Sequence, residues 1–129
     1  DKDRLFRNLK DAIEVYTRIN LNVMICVDGE YKKINSEDII MIEVAGRKLK
    51  MITEEETYII NGTLQEWSDK LNISSFCVCH RGYLVNIKHV TSITKDTVYL
   101  KNGRYKAYVS KRNYDEIKNR FMLFVEKNM

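Results

Sequence analysis

The most chemically pointed residues of the chain are His80 and Arg81, a polar pair set between two apolar, strand-forming runs, Phe76-Cys77-Val78-Cys79 and Tyr83-Leu84-Val85-Asn86. Arginine carries a planar fork of donors that grips phosphate or pairs bidentately with guanine O6 and N7. Arg81 at a strand-to-strand corner therefore suits recognition of a nucleic acid. A solvated surface arginine is the plainer reading of the same residue. His80 is compatible both with a partly buried imidazole that orients the turn and with a contact to DNA. Two further basic sites fall at turns. Arg47 and Lys48 follow Gly46, which permits a tight turn. Lys111 and Arg112 follow Ser110 at the start of a helix, where backbone donors add to a site for phosphate or base edges. Each has an ordinary alternative: a cationic loop tip in the first case, and in the second a helix-surface arginine beside Asp115 and Glu116.

Charge is distributed unevenly. The net charge of +4 over 129 residues is modest. Between positions 95 and 120, however, Lys95, Lys101, Arg104, Lys106, Lys111, Arg112, Lys118 and Arg120 face only Asp96, Asp115 and Glu116, while Glu54, Glu55 and Glu56 gather negative charge elsewhere. One end of the molecule is expected to be electropositive, a distribution that attracts polyanions by steering and counterion release.

Other chemistries are poorly served. Cys77 and Cys79 flank Val78 and share one face of a strand, with His80 pointing the other way. A metal centre wants four ligands, and only Cys26 and His89 remain as candidates, without a second close pair, so neither a metal nor a cofactor is expected. A Cys-His nucleophilic centre lacks an orienting acid, and there is no glycine-rich phosphate loop or paired-carboxylate constellation. The reading is therefore not an enzyme. Three cysteines without a secretion signal read as reduced thiols. No apolar run approaches the roughly 20 residues that cross a bilayer, so no membrane partner is expected and the location is read as cytoplasmic.

These residues need a scaffold, and its elements are visible in the periodicity. Leu5, Leu9, Ala12, Ile13, Tyr16 and Ile19 give residues 1–20 the pattern of an amphipathic helix, either packed on the domain or joining it to something upstream. From there, β-rich runs are predicted at residues 23–27, 31–34, 39–44, 49–53 and 58–60. Thr63-Leu64-Gln65-Glu66 has capping-box spacing and opens a short helix with Leu64, Trp67 and Leu71 on one face. Strands return at 76–79, 83–90, 97–101 and 104–109, the last two joined by Asn102-Gly103, a two-residue hairpin signal. Ser110 can cap a closing helix that presents Tyr114, Ile117, Phe121 and Phe124.

Four blocks of this sequence resemble the DNA-binding domains of the LytTR type, the output modules of many bacterial response regulators. Phe76, His80, Arg81, Tyr83, Val85 and Asn86 match the central signature of that family, with Val78 where it carries Arg and Gly82 where it carries Ser. Asp38-Ile39-Ile40-Met41-Ile42-Glu43 resembles its strand ending in Glu, Ala45-Gly46-Arg47-Lys48 its variable polar loop, and Val109-Ser110-Lys111-Arg112-Asn113-Tyr114 its closing segment.

The resemblance implies a mainly β fold with short helices: an elongated stack of small antiparallel sheets, one inserted short helix, and helical N- and C-terminal segments. Residues 1–20 would then be a linker from a missing upstream receiver domain, and residues 21–129 the DNA-binding domain. It further implies sequence-specific duplex DNA binding by loops and strand ends, on promoter elements arranged as direct repeats, with a possible dimer on DNA, as the output of a two-component response regulator. Arg47, Arg81 and Arg112 would enter grooves, Lys48 would accompany them on phosphate, and Lys95, Lys101, Arg104, Lys106 and Lys111 would supply a salt-sensitive phosphate grip. Two alternatives stay open. Tyr99, Tyr105 and Tyr108 interleave with Lys101, Arg104 and Lys106 as in a single-strand stacking platform, and a protein-interaction module of a signalling protein fits the size of the chain.

Overall fold

The run Ile39-Ile40-Met41-Ile42 lacks the polar alternation of a half-solvated strand. In a computed structural model, which describes residues 22–71 and 75–127, it lies at the centre of a sheet covered on both faces. That sheet has five antiparallel strands: β3 (Ile39–Ala45), β4 (Lys48–Thr53), β5 (Thr57–Ile60), β6 (Phe76–His80) and β7 (Tyr83–Asn86), in the order β5-β4-β3-β7-β6. A hairpin of β1 (Asn22–Val27) and β2 (Glu30–Asn35) forms a second sheet. A third holds β8 (Val90–Ile93), β9 (Thr97–Leu100) and β10 (Tyr105–Tyr108), in the order β10-β9-β8. Helix α1 (Leu64–Lys70) and helix α2 (Lys111–Lys127) complete the described residues. The fold is mainly β, a stack of three small antiparallel sheets with two helices, as the sequence led us to expect. The amphipathic segment 1–20 lies outside the described residues. No helix among these is long and apolar enough to cross a membrane.

Strand alternation sorts the apolar residues into two cores. Ile42, Leu49, Met51, Ile60, Phe76 and Leu84 face one way, where Ile25 of β1 and Leu64 and Trp67 of α1 meet them. Ile40, Met41, Ile52, Cys77, Cys79 and Val85 face the other way, toward Val98, Leu100 and Ala107 of the third sheet and Ile117 of α2. A bulge between Ile39 and Met41 lets the neighbours Ile40 and Met41 enter the same core. Complete burial of an Ile or Leu side chain contributes about 1.5 to 3 kcal/mol. Ile42 and Leu84, both fully buried at the middle of the sheet, are therefore the residues whose truncation would loosen the stack most.

The cap of α1 forms where its spacing predicts. Thr63 Oγ1 accepts the Glu66 N–H at 3.1 Å, and Trp67 Nε1 donates to the Asn61 carbonyl at 3.2 Å. The expected strand at 83–90, by contrast, is broken. The buried Asn86 side chain accepts the Lys88 N–H at 3.1 Å and donates to the Ile39 carbonyl at 2.9 Å. This local bond competes with the ladder, ends β7 and starts a 3-10 turn at Ile87–His89, after which the chain enters the third sheet as β8. Asn35 performs the same step between β2 and β3, accepting the Glu37 N–H at 3.0 Å above a 3-10 turn at Ser36–Asp38.

The hairpin at Asn102-Gly103 is present, with φ of +57 and +86, as a type I′ turn requires. Its strands are shorter than expected, because Lys101 also takes a left-handed φ of +52 and leaves the ladder.

Candidate nucleic-acid interface

Three turns and a helix start are drawn together at one end of the central sheet by backbone hydrogen bonds. Val44 N–H donates to the Gly82 carbonyl at 2.9 Å, which joins the end of β3 to the β6–β7 turn. Ser110 N–H donates to the Cys79 carbonyl at 3.0 Å, which seats the start of α2 on the end of β6. Val109 N–H donates to the Asp96 carbonyl at 2.9 Å, which brings in the β8–β9 turn. Gly46 and Arg47 make the two-residue β3–β4 turn. Gly46 has a φ of +65, the first central position of a type II′ hairpin, which only glycine occupies without strain. Arg47, Lys48, Arg81, Lys95, Lys111 and Arg112 therefore share one end of the molecule, and all are exposed. Glu43 lies near the same end with its carboxylate 3.6 Å from Lys50, so part of the local negative charge is already paired.

His80 has an orienting bond. Its Nδ1 accepts the Gly82 N–H at 3.0 Å, which requires that nitrogen to be unprotonated and fixes the turn that displays Arg81. The ring lies 5.6 Å from Tyr83, and Tyr83 in turn meets Tyr108 edge-on at 5.8 Å. Tyr108 is 54% exposed, so this aromatic ladder ends in a solvent-facing ring beside the start of α2. Tyr108 belongs with the candidate site although its spacing suggested only a stacking platform. The alternation of β10, which puts Lys106 and Tyr108 on the outer face, was the available signal. At Gly82 a Cβ would meet His80 Nδ1 at 3.5 Å, an ordinary contact. Val78, where the family carries Arg, instead lies in the cleft between α1 and α2 with Leu71, Phe76 and Arg120.

Lys101 and Arg104 are not brought to this end. Their turn sits at the opposite end of β3, about 20 Å away by the rise of a seven-residue strand, where Lys101 N–H donates to the His89 carbonyl at 3.0 Å. The Lys101 ammonium is ion-paired with Glu54, and the Arg104 guanidinium lies over the Tyr105 ring at 5.6 Å. The bond from Lys101 holds the Glu54 carboxyl below its ordinary range. His89 is buried here, with Nε2 donating to the Glu37 carbonyl at 2.7 Å and Nδ1 3.4 Å from Glu54, while Lys88 pairs with Glu37 at 3.2 Å. Burial pushes the His89 imidazole below its usual value, and the neighbouring Lys101 and Lys88 act in the same direction. Lys106 occupies mid-strand, exposed, opposite Tyr99.

The competing chemistries lose their geometry. Tyr99 and Lys106 are cross-strand partners on one face, whereas Tyr105 packs against the core, so the three tyrosines do not form a single platform. Cys79 is fully buried, its thiol 3.3 Å from the Tyr108 carbonyl, and burial pushes its pKa up to about 12, which withholds the thiolate a nucleophile needs. Cys77 is buried in the same core.

Comparison with known proteins places the family and the fold. A family model described as the LytTr DNA-binding domain matches residues 29–122. Sensory transduction protein LytT of Bacillus anthracis is 37% identical over 60 residues, which cover 46% of this chain and 24% of that protein. Transcriptional regulatory protein NatR of Bacillus subtilis is 28% identical over 124 residues, covering 91% of this chain and 53% of the other. The chain thus spans about half, or less, of the length of these relatives. Among solved structures, a LytTr DNA-binding domain from Bacillus cereus superposes with a TM-score of 0.64 at 24% identity, covering 78% of this chain and 95% of that one, which establishes the shared fold. With its sequence matched across 29–122 and its three stacked sheets shared with that solved domain, the chain belongs to the LytTR DNA-binding domain family.

Proposed function

We propose that this domain binds duplex DNA sequence-specifically through the end of the central sheet that carries Arg47, Arg81 and Arg112. The observation that carries this reading is the bonding of the β3–β4 turn, the β6–β7 turn and the start of α2 to one scaffold, each presenting an exposed arginine. A backbone already fixed at the strand ends need not be ordered on binding, and a bidentate contact from each arginine can contribute about 1 to 3 kcal/mol of base discrimination. Lys48, Lys95, Lys106 and Lys111 take phosphates on either side, supplying salt-sensitive affinity without sequence preference. Lys101 and Arg104, at the far end, contribute less to the grip. Tyr108 adds an apolar surface that fits a thymine methyl or a sugar.

In this reading the domain is the output of a two-component response regulator, joined to a receiver domain and placed on promoter elements arranged as direct repeats, where two copies stand side by side. A cytoplasmic location and the absence of catalysis follow from that role. The test is selection of bound sequences from a random duplex pool, followed by competition of the selected site against single strands and random duplex. Enrichment of a defined motif that loses its advantage in Arg47→Ala, Arg81→Ala and Arg112→Ala supports the reading. Equal binding of all duplexes, or preference for single strands, refutes it.

A further inference from the structure

The second half of α2 presents an apolar face that nothing among the described residues covers. Phe121 and Phe124 turn toward the core beneath it, but Met122, Leu123 and Val125 are 48%, 64% and 41% exposed. Single exposed apolar residues are ordinary; three within four positions of one helix, with Met122 and Val125 one turn apart on the same side, make a patch.

We propose that this face is the docking site of residues 5–19 of the same chain, which lie ahead of the described residues. The position of Asn22 is the first reason. Asn22 pairs with Asn35, Asn35 caps the turn holding Glu37, and Glu37 is bonded to Lys88 at 3.2 Å in the Ile87–His89 turn that α2 touches. The chain therefore enters the β1–β2 hairpin on the side of the Ile87–His89 turn against which α2 packs, away from the arginine-bearing turns. Only Asn20 and Leu21 separate Ile19 from Asn22, a reach of about 10 Å at full extension. A segment tethered so closely meets the patch at an effective concentration in the millimolar range, well above that of a second copy.

Residue spacing is the second reason. Leu5, Leu9, Ala12, Tyr16 and Ile19 recur at intervals of four, three, four and three, a seam fitted to the side of one other helix. As a helix, residues 5–19 would run about 22 Å, close to the about 25 Å of α2. Docking would bury Met122 and Val125 under Ala12, Tyr16 and Ile19.

The experiment is hydrogen exchange on the full chain at concentrations where sedimentation shows monomer. Amides of residues 5–19 should be protected, and Met122→Glu with Val125→Glu should reduce that protection at least tenfold while β3 amides stay unchanged. Leu9→Glu, which leaves α2 untouched, should give the same loss and should also speed peroxide oxidation of Met122 severalfold. This second variant decides the matter if the α2 variant also loosens β3. Unprotected residues 5–19 in the unsubstituted chain, protection that appears only with dimer, or Met122 oxidation indifferent to Leu9→Glu would each overturn the proposal.

Discussion

The Val44 amide and the Gly82 carbonyl meet at 2.9 Å, so the turns that carry Arg47 and Arg81 are two ends of one continuous hydrogen-bonded ladder. The backbone of neither turn can shift without disturbing the backbone of the other. Loss of one guanidinium leaves this frame intact, because both side chains are exposed and neither turn depends on them.

Arg81→Ala should therefore weaken binding to a selected cognate duplex by about 1 to 3 kcal/mol, read by fluorescence anisotropy, with the unfolding midpoint unchanged. Unaltered affinity in the folded variant would move the base-reading role to Arg47 and Arg112.

Lysines at the two ends should behave differently. Lys48→Ala and Lys111→Ala should weaken cognate and random duplexes equally and lower the slope of log K against log salt by about 1 each. Lys101→Ala should leave that slope nearly unchanged and instead reduce stability by up to about 1 kcal/mol, the ordinary worth of an exposed pair such as Lys101 with Glu54. A Lys101 variant with a reduced slope would place DNA at both ends.

His89 should make the domain less stable in mild acid. Burial lowers its folded pKa, so the unfolded chain takes up the proton first; stability is intact above about pH 6.5 and falls as pH drops from there toward the folded value. Glu54, also lowered when folded, gives up its contribution only in a more acidic window. Urea unfolding at pH 7.5 and 5.5 should show a smaller drop for His89→Gln than for the unsubstituted chain. Equal drops would assign the acid sensitivity to other groups.

Gly82→Ser should fold normally and bind duplex at least as tightly. The φ of Gly82 is not left-handed and a Cβ there finds only an ordinary contact with His80, so the substitution restricts the unfolded chain and stabilises by about 0.4 to 1 kcal/mol. A lowered unfolding midpoint would show that the turn depends on a bare backbone.

The thiols should divide one against two. Cys26 is exposed while Cys77 and Cys79 are buried, so a disulfide reagent at pH 8 should label one thiol in the native protein and three after unfolding. Rapid labelling of Cys79 would contradict its close packing beneath Tyr108.

The strands were legible wherever a run of apolar residues announced its own burial, as at Ile39-Ile40-Met41-Ile42 and Phe76-Cys77-Val78-Cys79. The turn residues Gly46 and Arg81 were legible too, because a tight turn depends on neighbours in the chain, and Ser110 stands just before the closing helix, where its carbonyl accepts the Asn113 N–H at 3.0 Å. The break after Asn86 was not. Its side chain makes a local bond from the Lys88 N–H and a second to the Ile39 carbonyl, far away in sequence, and the second, which holds the amide in place, has no signal in the neighbouring residues. The partner of Lys101 was not legible for the same reason: its charge is visible in the sequence, but Glu54 comes from the distant β4–β5 turn. His80 was half legible, since the residue type allowed an orienting role and the bond from Gly82 that performs it depends on the turn geometry.

Strand β3 runs from the 3-10 turn at Ser36–Asp38 to the end where the arginines stand, and its first four residues are at most 2% exposed, packed on both sides. Interiors of that density have low compressibility and pass strain along instead of absorbing it. This strand is thus a strut between the two ends. A push at the Ile39 end would reach the Arg47 turn as a displacement of the whole strand and would leave the shape of that turn unchanged.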